Sequence, residues 1–325
     1  MDGFRLLLFA SLPVIALALV ATADQKVHFA PEFLPGTALY YHIESRTTTT
    51  GKTTAPIANP EGGSKARQTI DLLVRIDVLD APPRLGSGSG TARLRATYEE
   101  SHAQSESDAF DPAGSSLEDQ YRRIQGRSIE FTVESDGQLA DLKGLDQLFP
   151  DPSAAAPAIA WLDGLSSGSA FPKNGVSIGQ KWRGERPIPG APLSGLTWLT
   201  ESTYLRNEPC GSRGDAVRAG ASPDACAVIL TRFEISRRGS SHSDATPEDY
   251  RRNGLRTSGT WTGSGESLDS ISLADGLLVS STQTSSQDMD YQIVSASSGS
   301  TIHRTGRIQN QSIVTLVPAP GSTQP

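Results

Sequence analysis

Cysteine is nearly missing from this sequence: Cys210 and Cys226 are the only two in 325 residues. That scarcity excludes a scaffold built on several disulfides, and with no CxxC spacing and no neighbouring histidine a metal site is the weaker reading. Aromatic residues make up only 6% of the chain, which argues against a stacking platform for bases. Basic residues are scattered among acids at a formal net charge of −7, so the stripe that nucleic-acid binding requires is absent. Long apolar runs are absent too, apart from residues 6–20. A bilayer-spanning helix needs about 20 such residues.

That one run follows a charged start (Asp2, Arg5), contains Pro13 and ends in Ala21, Thr22 and Ala23. A charged start, an apolar centre and small residues before the cut are the marks of a secretion signal. We expect cleavage after Ala23, with a retained anchor as the alternative. No cysteine stands directly after the run, so a lipid-modification site is not expected, and no later stretch is apolar enough to span a membrane. In an exported chain Cys210 and Cys226 are expected to form a disulfide, with two free thiols as the alternative.

What the sequence does contain is period-two alternation. Ile70, Leu72, Val74, Ile76 and Val78 share one side, and so do Ala92, Leu94, Ala96 and Tyr98. Ile129, Phe131 and Val133 repeat the pattern, and Leu39, Tyr41 and Ile43 begin it. Strands that are dry on one side and wet on the other belong to antiparallel sheets. Asp136-Gly137 and Asp275-Gly276 each separate two extended runs, a hairpin signature because the turn needs positive φ. The resemblance between residues 131–139 and 270–278 suggests duplication. Further strands are expected at 197–206, 227–236, 257–273, 277–285 and 302–317.

Leu139, Leu142, Leu145 and Leu148 suggest a short helix ending near Phe149, and a second helix is expected from Pro152 to about Leu165. No others are expected. Residues 47–65, 84–90, 105–120, 240–254 and 318–325 read as polar loops or tail. The domain reading is a signal peptide at 1–23, a β half at 24–150, a helical connector at 151–175, a second β half at 176–317 and a flexible tail at 318–325. The expected fold class is mainly β, with two related curved antiparallel sheets or half-barrels joined by short helices.

Motifs that carry chemistry are sparse. Residues 164–168 fit GxSxG, but a nucleophile elbow needs a strand before Ser166 and a helix after it, and the order here is reversed. His28, His42, His102, His242 and His303 form no ligand spacing, although His42 and His303 lie on expected strands and could meet. Glu99 and Glu100, as strand neighbours, should face opposite ways. Asp288 and Asp290 share a face and are read as solvated, with a weak calcium site as the alternative. Asn310-Gln311-Ser312 is a glycosylation triplet. Trp161, Trp182, Trp198 and Trp261 are read as core or cavity wall. No catalytic, cofactor-binding or metal-binding residue is assigned, and no cofactor is implied.

The entry Gly179-Gln180-Lys181-Trp182, the paired Asp-Gly hairpins and the signal peptide resemble an uncharacterised family of exported bacterial β proteins across residues 35–317. That family has no established activity, so the resemblance lends no catalytic residues. The strand pattern is also similar to that of LolA-type lipoprotein carriers, which implies a curved sheet closed by helices around an apolar cavity, with residues 141–166 as the lid. This chain is longer, and residues 257–266 offer little apolar lining. The leading expectation is an exported, non-enzymatic protein, periplasmic or secreted, that binds a lipid or other apolar ligand in a β concavity. The alternatives are an envelope protein that docks a protein partner, and a hydrolase with an unrecognised site.

Overall fold

The computed structural model describes residues 26–54, 63–81, 91–108, 112–134, 138–149, 161–162, 171–188, 191–210, 224–237 and 244–321. The strands are β1 (Ala38–Thr54), β2 (Ser64–Asp80), β3 (Ala92–Ser107), β4 (Ser128–Val133), β5 (Leu139–Lys143) and β6 (Lys181–Pro187). They continue with β7 (Leu196–Pro209), β8 (Ala225–Arg237), β9 (Leu255–Ser272), β10 (Leu278–Ser295) and β11 (Thr301–Val317). The helices are α1 (Pro112–Ile124), α2 (Leu145–Leu148) and α3 (Glu248–Arg252).

All strands join one 11-stranded antiparallel sheet in the order β5-β4-β3-β2-β1-β11-β10-β9-β8-β7-β6. The mainly β, antiparallel expectation holds. The two expected halves are the two arms of this single sheet. Each arm is a meander: β1 to β5 runs outward in chain order, and β6 to β11 runs from the edge inward. β1 and β11 join them in continuous register from Tyr40↔Val317 to Thr54↔His303. The sheet does not close: β5 and β6 are its outer edges. The chain between those edges runs through α2 and the aromatic residues Trp161 and Phe171, which pack into the main core.

Alternation divides the side chains between an inner and an outer face. The main core lies on the inner face, where Tyr41, Leu72, Val74, Ile76, Leu94, Tyr98 and Phe131 are buried. Helix α1 covers it with Leu117, Tyr121 and Ile124, and α2 adds Leu148. A strap of residues 26–36 crosses the same end. Val27 bridges Val176, Glu32 N–H donates to the Asp275 carbonyl at 2.7 Å, and Gly36 N–H donates to the Val78 carbonyl at 3.0 Å. The strap passes close to the β9–β10 turn: a Cβ on Gly276, where φ is 68°, would stand 2.3 Å from the Ala30 carbonyl oxygen. Glycine is needed there both for the turn and for the close approach. A second, smaller cluster of Leu193, Leu196, Ile235, Ala245 and Tyr291 lies apart from the main core. Trp198, Trp261, Met289 and Ile293 pack against it.

The outer face is charged along its length. Ion pairs link Arg95 to Glu130 at 2.7 Å, Arg183 to Glu201 at 2.8 Å and Arg307 to Asp288 at 2.8 Å. Exposed pairs of this kind contribute little stability, but they mark a surface that meets water. A cation facing lipid at mid-membrane costs about 2–4 kcal/mol, so Arg95, Arg183 and Arg307 favour water over lipid where they stand. Among the described residues, no helix is long and apolar enough to cross a membrane.

Several expectations are corrected. The polar stretch 105–120 is not a loop throughout: β3 runs to Ser107 and α1 begins at Pro112. Its apolar stripe of Leu117, Tyr121 and Ile124 lies on one helical face and is buried against β3, outweighing the polar composition around it. Leu139 and Leu142 belong to β5 rather than a helix, and only residues 145–148 are helical, because β5 pairs with β4. Strand β10 continues past Ser285 to Ser295, and α3 interrupts the 240–254 stretch. Ala23, the turn at 136–137, the GxSxG segment and most of the 151–175 connector lie outside the described residues.

Candidate ligand-binding face

Between the two apolar clusters, the inner face is lined by hydroxyls and amides. One row runs Ser202, Thr231, Ser267, Gln283, Ser312 and Ser45, register partners from β7 across to β1. The next row runs Thr200, Phe233, Gly265, Ser285, Asn310 and Thr47, then Gln68 and Ser105 on β2 and β3. At about 4.8 Å between strands, the stretch from β7 to β1 is roughly 24 Å long. Along β9 the inner residues Gly263, Gly265 and Ser267 are half-buried, while the outer Thr262, Ser264 and Glu266 are exposed.

Part of this belt is bonded internally. Ser202 and Thr231 hydroxyls are 2.9 Å apart, and the Ser45 hydroxyl donates to Asn310 Oδ1 at 3.4 Å. The rest is not. Among the described residues, the side chains of Thr47, Gln283, Ser285 and Ser312 make no hydrogen bond. Asp269, between the belt and the main core, accepts from Ser281 Oγ at 2.5 Å and Ser267 Oγ at 3.1 Å. Burial pushes its carboxyl up from the usual range, opposed by those two hydrogen bonds.

Aromatic rings stand at the far side of the belt. Phe233 lies over Gly265, where a Cβ would meet the ring at 2.5 Å, and it meets Trp198 edge-on at 5.1 Å and 90°. Trp261 is parallel to Tyr291, at 6.2 Å and 2°, and its indole N–H donates to Gln287 Oε1 at 3.0 Å.

The outer face carries a groove of about 960 Å³ over β6–β9. Its walls include Arg183, Glu185, Glu201, Arg232, Glu234 and Glu266. Arg183 and Lys181 hold the Glu201 carboxyl below its usual range, so much of the groove's charge is internally paired.

The residues singled out by sequence separate in space. Cys210 and Cys226 form a disulfide closing the end of the β7–β8 hairpin, where Cys210 N–H also donates to the Asp224 carbonyl at 2.9 Å. His42 and His303 do not meet. His303 is opposite Thr54 on β11's register with β1, which puts it about 40 Å along the strand from His42 at 3.3 Å per residue. His42 lies 3.2 Å from Asp71, and His303 lies 2.7 Å from Asp290. Asp288 is taken by Arg307, so the Asp288/Asp290 pair is engaged with basic side chains, and no metal-holding cluster occurs among the described residues. Glu99 breaks the expected alternation: it lies at a bulge in the β2–β3 register and bonds Arg75 at 2.7 Å on the outer face. Asn310 is embedded in the sheet, and Trp161 is buried in the main core. The belt itself was hidden in the sequence because Ser and Thr on both faces erase the hydropathy alternation. The spacing of Ser267, Gly265 and Gly263 against exposed charged or polar neighbours was its only signal.

No protein-family profile matches the chain, and no curated protein matches it. Several solved structures share a distant overall likeness. DynF from the dynemicin biosynthesis pathway of Micromonospora chersina has 8% identity and a TM-score of 0.21, with 97% of this chain and 96% of that chain covered. An outer membrane channel from Pseudomonas putida F1 has 7% identity and a TM-score of 0.20, with 88% and 97% covered. Likenesses this distant leave the function to be argued from the site.

Proposed function

We propose that this is an exported, non-enzymatic binding protein that holds a ligand against the inner face of its sheet. The observation carrying this reading is the belt beside the main core, where, among the described residues, the side chains of Thr47, Gln283, Ser285 and Ser312 are unengaged. A fold that needed only stability would cover this stretch with apolar packing, as it does at both ends of β7–β10. Export is supported by the Cys210–Cys226 disulfide, since such bonds persist in oxidising compartments. The lipid expected from the alternating strands has weaker support. The apolar parts of the face are filled by Tyr121, Phe149, Trp161 and their neighbours, which leaves mainly polar groups for a ligand.

Docking of an envelope protein is the second reading, favoured by the outer edges of β5 and β6, which pair with no further strand among the described residues. Edge β6 carries Lys181, Arg183, Glu185, Arg186 and Pro187, a composition that discourages strand addition. Native mass spectrometry of the mature protein from its own host tests the leading reading. The expected result is a bound small molecule whose occupancy falls when Gln283 and Ser312 are both replaced by Ala. A protein recovered empty, or carrying only a protein partner, would count against it.

A further inference from the structure

Resting on that reading, we infer that the inner-face ligand is a neutral, hydroxyl-rich oligosaccharide chain lying across strands β8 to β1. The belt offers Thr231, Ser267, Gln283, Ser285, Ser312, Asn310 and Ser45, groups that both donate and accept hydrogen bonds. Sugar hydroxyls have the same dual character, so each free side chain can be matched without charge. No Lys or Arg occurs in these two rows, while the outer face carries many, so an anionic ligand finds no counter-charge where the belt is open. The single carboxylate, Asp269, is already held by Ser267 and Ser281, which leaves little to attract a cation. An alkyl chain would strip water from the free hydroxyls and amides and give them nothing in return.

A neutral peptide is the nearest competitor. Peptides are usually taken up through main-chain bonds at a strand edge. Here β8, β9, β10, β11 and β1 each have a strand on both sides, so the belt presents side chains only. The aromatic rings fit the same occupant. Half-buried Trp198, Phe233 and Trp261 flank the belt, and the apolar face of a sugar ring packs against such rings. The run from β8 to β1, roughly 19 Å at about 4.8 Å between strands, accommodates several sugar units in a row.

The test uses the mature protein and three uncharged hexasaccharides of different linkage: cellohexaose, maltohexaose and chitohexaose. Binding is followed by calorimetry and by tryptophan fluorescence, which Trp198 and Trp261 should report. At least one of the three is expected to bind. The Gln283→Ala/Ser312→Ala double variant should bind it roughly tenfold or more weakly, the effect of losing a few hydrogen bonds. Outer-face Thr282→Ala should leave affinity unchanged, and unaltered circular dichroism and melting temperature confirm that each variant folds. Failure of all three sugars, equal binding by wild type and double variant, or preferential binding of a neutral Ser/Gly peptide would overturn the carbohydrate assignment. If the sugars fail while host-purified protein carries a lipid on this face, the binding reading survives without the carbohydrate. An empty host-purified protein that also ignores the sugars removes both.

Discussion

Two buried tyrosines should respond in opposite directions to loss of the same atom. Tyr41 is fully buried on β1, and its hydroxyl donates to the Leu278 carbonyl on β10 at 2.9 Å, spanning the intervening β11. Tyr121 is equally buried on α1, but its hydroxyl has no hydrogen-bond partner among the described residues. Replacing Tyr41 by Phe leaves a buried carbonyl one hydrogen bond short, at a cost of about 1–2 kcal/mol. Replacing Tyr121 by Phe removes a buried hydroxyl whose desolvation is uncompensated, so the variant should gain about 1 kcal/mol. The two should differ by about 2–3 kcal/mol, or roughly 4–12 °C in melting temperature at about 2–4 °C per kcal/mol. Urea unfolding of both variants beside wild type, with an unchanged slope, measures the gap. If Tyr121→Phe proves as destabilising as Tyr41→Phe, the Tyr121 hydroxyl has a partner, and the reasoning from an unpaired group is refuted.

Other outcomes follow from the same structure. Replacing both Cys210 and Cys226 by Ser should cost about 3 kcal/mol, since the bridge closes a short loop, and peptide mapping without reductant should recover the two as a linked pair. Asp269 binds its proton more tightly when folded, so its contribution is fully present below the unfolded value of about 3.9 and is lost as pH rises through the higher folded value. Asp269→Asn should therefore flatten the decline in stability as pH rises above about 3.9, and an unchanged slope in denaturation at several pH values would contradict this. At Gly265, a Cβ would collide with the Phe233 ring and with the Thr284 carbonyl at 2.3 Å, so Gly265→Ala should destabilise by about 1–3 kcal/mol. The added variant Phe233→Ala should relieve only part of that loss, because the carbonyl contact remains.

Strands with one strongly apolar side were legible in the sequence, as Ile70 to Val78 demonstrates by burying the same alternate residues that its spacing picks out. So was the turn at Asp275-Gly276, whose chemistry is local. Helix α1 was not legible because Ser, Glu, Asp and Arg surround its narrow stripe of Leu117, Tyr121 and Ile124 and mask its period. The pairing of β1 with β11 left no local trace, since it depends on partners at opposite ends of the sequence. The belt was illegible for a related reason: each of its side chains is unremarkable on its own strand, and only the register sets Ser267, Gln283 and Ser312 side by side.

Because the first and last strands are neighbours, with Tyr40 opposite Val317, the order of synthesis is out of step with the order of assembly. Each arm can zip from hairpin to hairpin, but the central joint must wait until the whole chain exists, and closing so large a loop slows folding. A circular permutant that joins the end of β11 through a flexible linker to Lys26, keeping the strap of residues 26–36, and opens the chain between β5 and β6 would run β6 through β11 and then β1 through β5. Every pairing would then be between consecutive strands, and refolding should be faster with little change in the final state.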